Sequence, residues 1–95
     1  MWTIKQEIAG NRGAFKAIED QKTIGTLSFY WSDSRQLVLD DTLVDPDYGG
    51  RGLGKALVFA AVAFAREQGV EVVAVCPFVR AVFEKTPEIQ EVWAK

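Results

Sequence analysis

The sequence contains no histidine, a single cysteine and no long hydrophobic run. One cysteine, Cys76, cannot form a disulfide framework within the chain, and a free thiol is typical of a reducing compartment. The longest wholly apolar run, Ala56 to Ala65, is far shorter than the roughly 20 residues that span a bilayer. The N-terminus lacks the charged leader and apolar block of a secretory signal. These absences favour a cytoplasmic protein without a membrane partner.

Excess positive charge is also missing, because 11 basic and 13 acidic residues give a net charge of −2. Such a chain has no basic surface for nucleic acid. Apolar residues make up 48% of the sequence, which argues against disorder. With 95 residues and no internal repeat, the chain is expected to form a single domain over residues 1–95, with room for one core and one site. Composition does not predict an oligomeric state.

The hydrophobic pattern changes at Leu53, from a period of two to a helical period of about 3.6. The first half predicts an antiparallel strand meander, and the second half predicts a central helix, a buried parallel strand and C-terminal helices. The fold class is therefore α+β. The predicted elements are strands Trp2–Ile8, Ala14–Glu19, Thr23–Trp31 and Gln36–Val44, helix Leu53–Gln68, strand Val70–Val75, helix Pro77–Lys85 and a last helix from Pro87 towards Trp93. The aromatic residues expected in the core are Trp2, Trp31, Trp93, Phe29, Phe59, Phe64 and Phe83.

Four glycines fall within six positions between the fourth strand and the central helix, in DYGGRGLGKAL, residues 47–57. Glycines at a strand-to-helix turn let backbone amides approach a ligand, and the uncapped amides of a helix N-terminus favour a phosphate. Arg51 and Lys55 add positive charge. The order of glycines differs from the GxGxxG of dinucleotide sites, and Ala56 stands where a nucleoside-triphosphate loop needs Ser or Thr. A purely structural turn remains the alternative.

In this context the turn resembles the pyrophosphate-binding motif of the GNAT superfamily, the acetyl-CoA-dependent N-acetyltransferases, whose pattern is [QR]xxGx[GA]. Residues 49–54 match all positions but the first, where Gly49 stands. The chain is also similar to the minimal single-domain branch of that superfamily, in which a PxxxGxGxxxxL turn is followed by CP[YF]V. Here these motifs are residues 46–57 and 76–79. The first half of the chain matches only as a strand pattern.

The resemblance implies an N-acetyltransferase that moves an acetyl group from acetyl-CoA to a small-molecule or peptide amine. It implies that the fourth and fifth strands splay apart around the pantetheine arm of coenzyme A. The cofactor-binding residues implied in this way are Leu43, Val44, Arg51, Gly52, Leu53, Gly54 and Lys55. Because Gly49 replaces the usual Gln or Arg, either Arg51 supplies that polar contact or coenzyme A binds more weakly.

The minimal branch tends to carry a histidine before the threonine of the fourth strand, and this chain has Asp41 there. Of the two candidate bases, Asp40 and Asp41, we prefer Asp41; the alternative is that both are solvated charges at a strand end. Alternating residues of a strand face opposite sides, so only one of the two should face the site. Cys76 precedes Pro77 and should lie at a helix N-terminus, which lowers a thiol pKa. Arg80 could reinforce that effect by folding back.

Three roles remain open for Cys76, namely acetyl acceptor, acid for the departing coenzyme A thiolate, or inert core residue. Three classes of function also remain open for the whole chain. The first is a small N-acetyltransferase, the second a non-catalytic acyl-CoA binding module, and the third a phosphate-binding interaction domain. No metal site is expected.

Overall fold

The computed structural model describes residues 1–94. It contains one five-stranded sheet in the order β1-β2-β3-β4-β5, two α-helices and two short 3-10 helices. The elements are β1 Thr3–Ala9, β2 Arg12–Glu19, β3 Lys22–Trp31, β4 Leu37–Val44, a 3-10 helix Pro46–Tyr48, α1 Leu53–Gln68, β5 Val72–Ala74, α2 Pro77–Lys85 and a 3-10 helix Pro87–Val92. The predicted order and type of the elements are confirmed. None of the helices among residues 1–94 is long and apolar enough to cross a membrane.

Strands β1 to β4 form the predicted antiparallel meander, and β4 pairs with β5 in parallel. The turn between β2 and β3 consists of two residues, Asp20 and Gln21, which both have positive φ angles, 52° and 66°. A two-residue hairpin of this kind requires positive φ because only then does its twist match that of the strands. Neither residue is a glycine, so this turn carries backbone strain.

Helix α1 covers one face of the sheet and forms the core with it. Its buried face contributes Leu57, Val58, Ala61 and Val62, and the facing strands contribute Phe15, Leu27, Phe29 and Leu39. The Phe15 and Phe29 rings lie 5.2 Å apart, and Phe64 of α1 packs against both at about 6 Å. Alternation in β3, with Leu27 and Phe29 fully buried on one face, follows the predicted pattern.

Helix α1 ends at Gly69, as the sequence predicts. Gly69 has φ of 67°, and its amide and that of Val70 bond to the carbonyls of Arg66 and Ala65. This double bond pattern is the Schellman cap. Because Val70 belongs to the cap, the predicted strand Val70–Val75 begins later, at Val72, and it ends at Ala74.

One predicted core aromatic is misplaced. Phe59 has 37% of its surface exposed, and the Lys55 ammonium lies 5.5 Å from its ring centroid. Helical spacing alone does not distinguish the buried side of α1 from its margin. The other predicted aromatic residues are buried or pack against the core.

Candidate active site

Strands β4 and β5 separate after three residue pairs. The last pair is Leu39 with Ala74, and the Leu39 carbonyl accepts bonds from the amides of both Val75 and Cys76. At the same point the pairing of β4 with β3 shifts, because Ser28 pairs with Asp41 and Phe29 with Leu39. Asp40 is therefore the extra residue of a β-bulge. The bulge opens a gap between the two strands on the side of β5.

The backbone direction of β4 beyond the bulge follows from its pairing with β3. The Asp45 amide donates to the Ile24 carbonyl, so Asp45 faces β3. Hydrogen-bonded and free pairs alternate in an antiparallel ladder. Leu43 consequently also faces β3, whereas the amides and carbonyls of Thr42 and Val44 face the gap. Of the two residues predicted to offer backbone groups to pantetheine, Val44 directs them into the gap and Leu43 directs them to β3; Thr42 is the other residue whose backbone groups face the gap.

The glycine-rich turn leads from β4 to the N-terminus of α1. Gly50 and Gly52 have φ angles of 77° and 78°, which L-residues rarely adopt. Gly52 is the N-cap of α1 and offers no side-chain hydrogen bond to the first turn. The first amides of a helix have no intrahelical partner, so those of the α1 first turn are available to an anion. Gly49 has an ordinary φ of −62°, so its missing side chain is not required by the backbone.

A cavity of about 500 Å³ joins the turn to the gap. Its lining residues come from β4, the turn, α1 and α2: Thr42, Val44, Tyr48, Gly49, Gly50, Gly52, Leu53, Gly54, Lys55, Phe78 and Val82. Gly54 is buried against the Phe78 ring, and a Cβ atom at Gly54 would lie 2.6 Å from the Phe78 Cζ atom. Gly54 therefore has a packing role in addition to the predicted approach of its backbone to a ligand.

The two cations of the turn lie against aromatic rings. The Arg51 guanidinium stands 5.2 Å from the centroid of Tyr48, whose ring lines the cavity. The Tyr48 hydroxyl donates a 2.5 Å hydrogen bond to Glu19 on β2. That carboxylate raises the pKa of Tyr48 and keeps it a donor. Tyr48 thus links the turn to a distant strand, in addition to the packing role that its position suggests.

Cys76 is the N-cap of α2 and is buried, with a relative exposure of 8%. Its Sγ atom lies 3.4 Å from the Thr42 Oγ1 atom across the gap. Burial raises the pKa of the thiol, but the Thr42 hydroxyl and the nearby amides of Val79 and Phe78 lower it more, so the pKa falls below its ordinary value. The negative charge of Asp41 opposes this fall. Cys76 is thus both a buried residue and an acidified thiol.

Arg80 folds back past the N-terminus of α2, which is the geometry on which its predicted effect depends. Its guanidinium reaches the Ala74 carbonyl, at 3.5 Å, and no effect of Arg80 on the Cys76 pKa is resolved. One helical turn separates Arg80 from the N-cap, and its side chain extends along α2 towards β5. The helix amides and Thr42 suffice to lower the thiol pKa.

The bulge separates the roles of the two aspartates. The Asp40 carboxylate accepts hydrogen bonds from Ser28, at 2.9 Å, and Arg12, at 3.2 Å. Asp41 is exposed and forms no ion pair with residues 1–94. In the bulge, Asp40 and Asp41 together stand opposite a position of β3 that one residue would face in a regular strand. The alternation of side chains is interrupted there, so it does not decide which of the two faces the site. Because Asp40 is paired with Arg12 and Ser28, Asp41 is the carboxylate that is available to a ligand.

The structure brings Asp41, Thr42 and Cys76 together at the gap. Gly52, Leu53, Gly54 and Lys55 line the cavity at the start of α1, whereas the predicted Leu43 and Arg51 are not among its lining residues. Sequence reasoning missed Thr42, Phe78 and Val82 as lining residues. Thr42 could have been found only by predicting the bulge. Phe78 follows Cys76 by two residues in the CPFV motif, so its closeness to the site carried a signal that its apolar character concealed.

Comparison with known proteins agrees with this geometry. The family described as GCN5-related N-acetyl-transferase matches residues 14–92, more than four fifths of the chain. An NMR solution structure of a GCN5-like candidate N-acetyltransferase from Staphylococcus aureus has a TM-score of 0.73 and 26% identity, and the alignment covers 95% of this chain and 87% of that chain. No curated protein sequence matches the chain.

Two larger enzymes share the fold. Ribosomal-protein-alanine N-acetyltransferase from Brucella melitensis biovar Abortus 2308 has a TM-score of 0.68 and 23% identity over 82% of this chain. An aminoglycoside acetyltransferase from an uncultured soil metagenomic sample has a TM-score of 0.65 and 22% identity over 92% of this chain. This chain spans 62% of the length of each. The chain belongs to the GCN5-related N-acetyltransferase family, whose members use acetyl-CoA, and it is an acetyltransferase.

Proposed function

We propose that the chain binds acetyl-CoA in the cavity between β4 and α1 and transfers its acetyl group to a cationic small-molecule or peptide amine at Asp41. The observation that carries this proposal is the continuity of three features. An uncapped helix N-terminus opens into a cavity, and the cavity opens into a gap edged by free backbone groups. This order matches the pyrophosphate, the pantetheine arm and the thioester of the coenzyme.

The residues of the site are suited to the two halves of the coenzyme. The first-turn amides at Leu53, Gly54 and Lys55 would hold the pyrophosphate, with charge from Arg51 and Lys55. The backbone groups of Thr42 and Val44 would pair with the pantetheine amides as an added strand does. Leu43, whose backbone faces β3, has no direct role in this arrangement. Bound acetyl-CoA supplies an activated acetyl group at the gap.

Asp41 and Cys76 are the groups that can move protons there. Asp41 would attract the ammonium form of the amine by its charge and accept a proton from it before attack. Cys76 would donate its proton to the departing thiolate of coenzyme A. Its lowered pKa also makes it a candidate acetyl acceptor, since the thiolate is the nucleophilic form. Burial at 8% exposure favours the proton-donating role.

The proposed class of acetyl acceptor, a cationic amine, is supported by the charge of the site rather than by close sequence similarity to a characterised enzyme. Among residues 1–94 no cation pairs with Asp41, which is exposed beside the gap, and an exposed carboxylate prefers a cation. The names of the two larger neighbours refer to a ribosomal-protein alanine and to aminoglycosides, which both present amines. We infer that neither nucleic acid nor membrane is a partner and that the protein works in the cytoplasm, an inference that the free cysteine supports.

The coenzyme site is tested by two glycine variants that share one backbone strain. Gly52 and Gly69, at φ of 78° and 67°, begin and end the same helix, and a Cβ atom at either position would have open space for 4 Å around it. Gly52→Val and Gly69→Val should therefore lose similar stability. Only Gly52→Val should weaken coenzyme A binding, because its side chain would cover the amides. Titration calorimetry measures the difference, and equal affinities in the two variants would reject the site.

The proton-transfer roles are tested with neighbouring aspartates. Asp41→Asn should reduce turnover about a hundredfold with little change in coenzyme affinity. Asp40→Asn is the matched variant, because its carboxylate is bound to Ser28 and Arg12, and its turnover should fall much less. Turnover is measured as thiol release with a panel of amines. If no amine releases thiol faster than water does, although coenzyme A binds, the chain is a non-catalytic binding module.

A further inference from the structure

Glu19 and Lys22 flank the β2–β3 turn. They contact the two ends of the 3-10 helix Pro46–Tyr48, which leads into the glycine-rich turn. Glu19 accepts the 2.5 Å hydrogen bond from the hydroxyl of Tyr48, the last residue of this helix. Lys22 lies 3.3 Å from the carboxylate of Asp45, which caps the start of the same helix by accepting from the Asp47 amide at 2.9 Å. One hairpin thus holds both ends of the 3-10 helix that leads into the glycine-rich turn.

The hairpin that makes these contacts is itself conformationally restricted. Asp20 and Gln21 both hold positive φ without being glycines. Residues in such conformations persist only where the surrounding structure determines them, and they cluster at functional sites. The carboxylate of Glu19 and that of Asp45 are each only 20% exposed. The Glu19–Tyr48 bond is partly buried, and Glu19 also accepts the N-terminal ammonium of Met1 at 2.7 Å. The Lys22 side chain is 67% exposed, so its pair with Asp45 is an ordinary surface ion pair.

Tyr48 transmits the contact to the site. One side of its ring lines the cavity, and the Arg51 guanidinium lies 5.2 Å from the ring centroid. A guanidinium over an aromatic face is held by the ring's negative charge distribution. The hydrogen bond to Glu19 fixes the Tyr48 hydroxyl and thereby the ring, and the ring restricts the Arg51 guanidinium that lies against it. The motif usually has Gln or Arg at the position of Gly49. Without that side chain, Arg51 is the polar residue left to contact the pyrophosphate, so its position matters more.

We propose that Glu19 and Lys22 are positioning residues for coenzyme binding, which act through Tyr48 and Asp45 to hold Arg51 and the glycine turn in their binding conformation. The inference rests on the proposed acetyl-CoA site. Neither Glu19 nor Lys22 needs to touch the coenzyme. Their effect should appear in affinity for the pyrophosphate half of the ligand and should leave the gap and its chemistry unchanged.

The chain supplies matched controls for both contacts. Tyr30 also carries an arginine over its ring, Arg12 at 5.4 Å, and it lies far from the turn on β3. Lys16 forms an equivalent ion pair with Glu7 across the β1–β2 hairpin, at 2.8 Å. Tyr48→Phe is therefore compared with Tyr30→Phe, and Lys22→Met with Lys16→Met. Glu19→Gln keeps an oxygen that accepts the tyrosine bond, whereas Glu19→Ala does not.

The experiment measures two ligands for each variant. Coenzyme A affinity is measured by calorimetry, and pantetheine, which lacks the pyrophosphate, is measured as a competitor of it. Tyr48→Phe and Glu19→Ala should weaken coenzyme A binding about fivefold to tenfold, which is less than the full value of a hydrogen bond to a charged group because the effect on the coenzyme is indirect. Lys22→Met should weaken it about twofold. In Glu19→Ala and Lys22→Met, pantetheine affinity and kcat should stay near those of the parent, and Glu19→Gln should retain most of the coenzyme A affinity that Glu19→Ala loses.

Two results would overturn the inference. One is a coenzyme A affinity in Tyr48→Phe equal to that in Tyr30→Phe. The other is an equal loss for coenzyme A and pantetheine, which would give Tyr48 a merely structural role. Failure of the underlying site is distinguishable, since Gly52→Val and Arg51→Ala would then also bind coenzyme A like the parent. Melting temperatures of the unliganded variants identify any that fail to fold, and Glu19→Gln remains available in that case.

Discussion

At the scale of single residues, the Thr42–Cys76 contact is one of the influences that lower the pKa of the only thiol in the sequence. Burial raises the pKa of Cys76, and the Thr42 hydroxyl is the largest of the contributions that lower it. A lowered pKa places more thiolate at a given pH, so alkylation by iodoacetamide should reach half its limiting rate at a lower pH than for a free thiol. Thr42→Val keeps the shape but removes the hydroxyl, and should move this midpoint to higher pH.

The matched control is Thr26→Val on β3, outside the contact. An unmoved midpoint in Thr42→Val would show that the helix amides alone acidify the thiol. Intact-mass measurement after incubation with acetyl-CoA then separates the chemical roles of Cys76. An acetyl adduct that Cys76→Ser abolishes would assign it as the acceptor. No adduct, together with reduced turnover in Cys76→Ala, is expected for a proton donor.

Gly54 illustrates how far a glycine's role can differ from the one its motif suggests. The Phe78 ring fills the space that a Cβ would need, 2.6 Å from its Cζ atom. Gly54→Ala gains about 1 kcal/mol of helix propensity and loses about 1–3 kcal/mol through overlap, so it should lower the free energy of unfolding or leave it level. In a Phe78→Ala background the overlap is gone, and the same substitution should stabilise.

Urea unfolding of the four proteins in this cycle measures the interaction between the two sites. A stabilising Gly54→Ala in the parent chain would contradict close packing of the ring. The residue types of the motif do not show whether Gly54 is needed for packing against Phe78 or for the approach of its backbone to a phosphate. Both require a residue without a side chain, and only the position of α2 decides between them.

At the scale of elements, the bulge in β4 is the feature that sequence alternation could not supply. The pattern around Asp40 and Asp41 predicts a regular strand with one carboxylate on each face. The additional residue depends on pairing with Ser28, which lies on another strand, and on capture of Asp40 by Arg12 from a third. Helix α1 was predictable to its ends because its signals are local, namely the apolar period, the glycine turn and the Gly69 cap.

Another element contact links α1 to the C-terminal 3-10 helix. Arg66 donates to the Glu91 carboxylate at 2.6 and 2.9 Å and to the Glu88 carbonyl at 2.8 Å. Arg66 lowers the pKa of Glu91. A carboxylate with a lowered folded-state pKa contributes stability above its unfolded pKa and loses it as pH falls through the folded one. Glu91→Gln should therefore be less stable than the parent at pH 7, and the difference should shrink in acid.

Urea unfolding at several pH values tests this, with Glu84→Gln on the neighbouring helix α2 as the comparison variant. A destabilisation by Glu91→Gln that is unchanged between neutral and acidic pH would mean that packing, rather than the ion pair, joins the two helices. The fixed contact of Arg66 with the Glu88 carbonyl would then be the important one.

At the scale of the whole molecule, the order of strands and helices could be predicted from the sequence, whereas the side-chain contacts that support the site could not. Residues 47–57 predict a phosphate site from local sequence alone, because a glycine turn before a helix leaves backbone amides free for an anion. The hydrogen bond from Tyr48 to Glu19 joins residues 29 positions apart in the chain. Side-chain contacts over such separations depend on the register of the complete sheet, which no local pattern determines.

The whole fold should respond to the coenzyme, because the cavity is formed by β4, α1 and α2 together. A ligand that binds only the folded state at 100 times its dissociation constant adds about 2.7 kcal/mol of stability. For a domain of this size, each 1 kcal/mol moves the melting temperature by about 4–8 °C. Coenzyme A and acetyl-CoA should therefore raise it by about 10–20 °C, whereas ATP, which lacks the pantetheine arm, should raise it much less. An equal rise with ATP at equal concentration would reduce the cavity to a general phosphate site, and the loss of the rise in Gly52→Val but not in Gly69→Val would locate it at the start of α1.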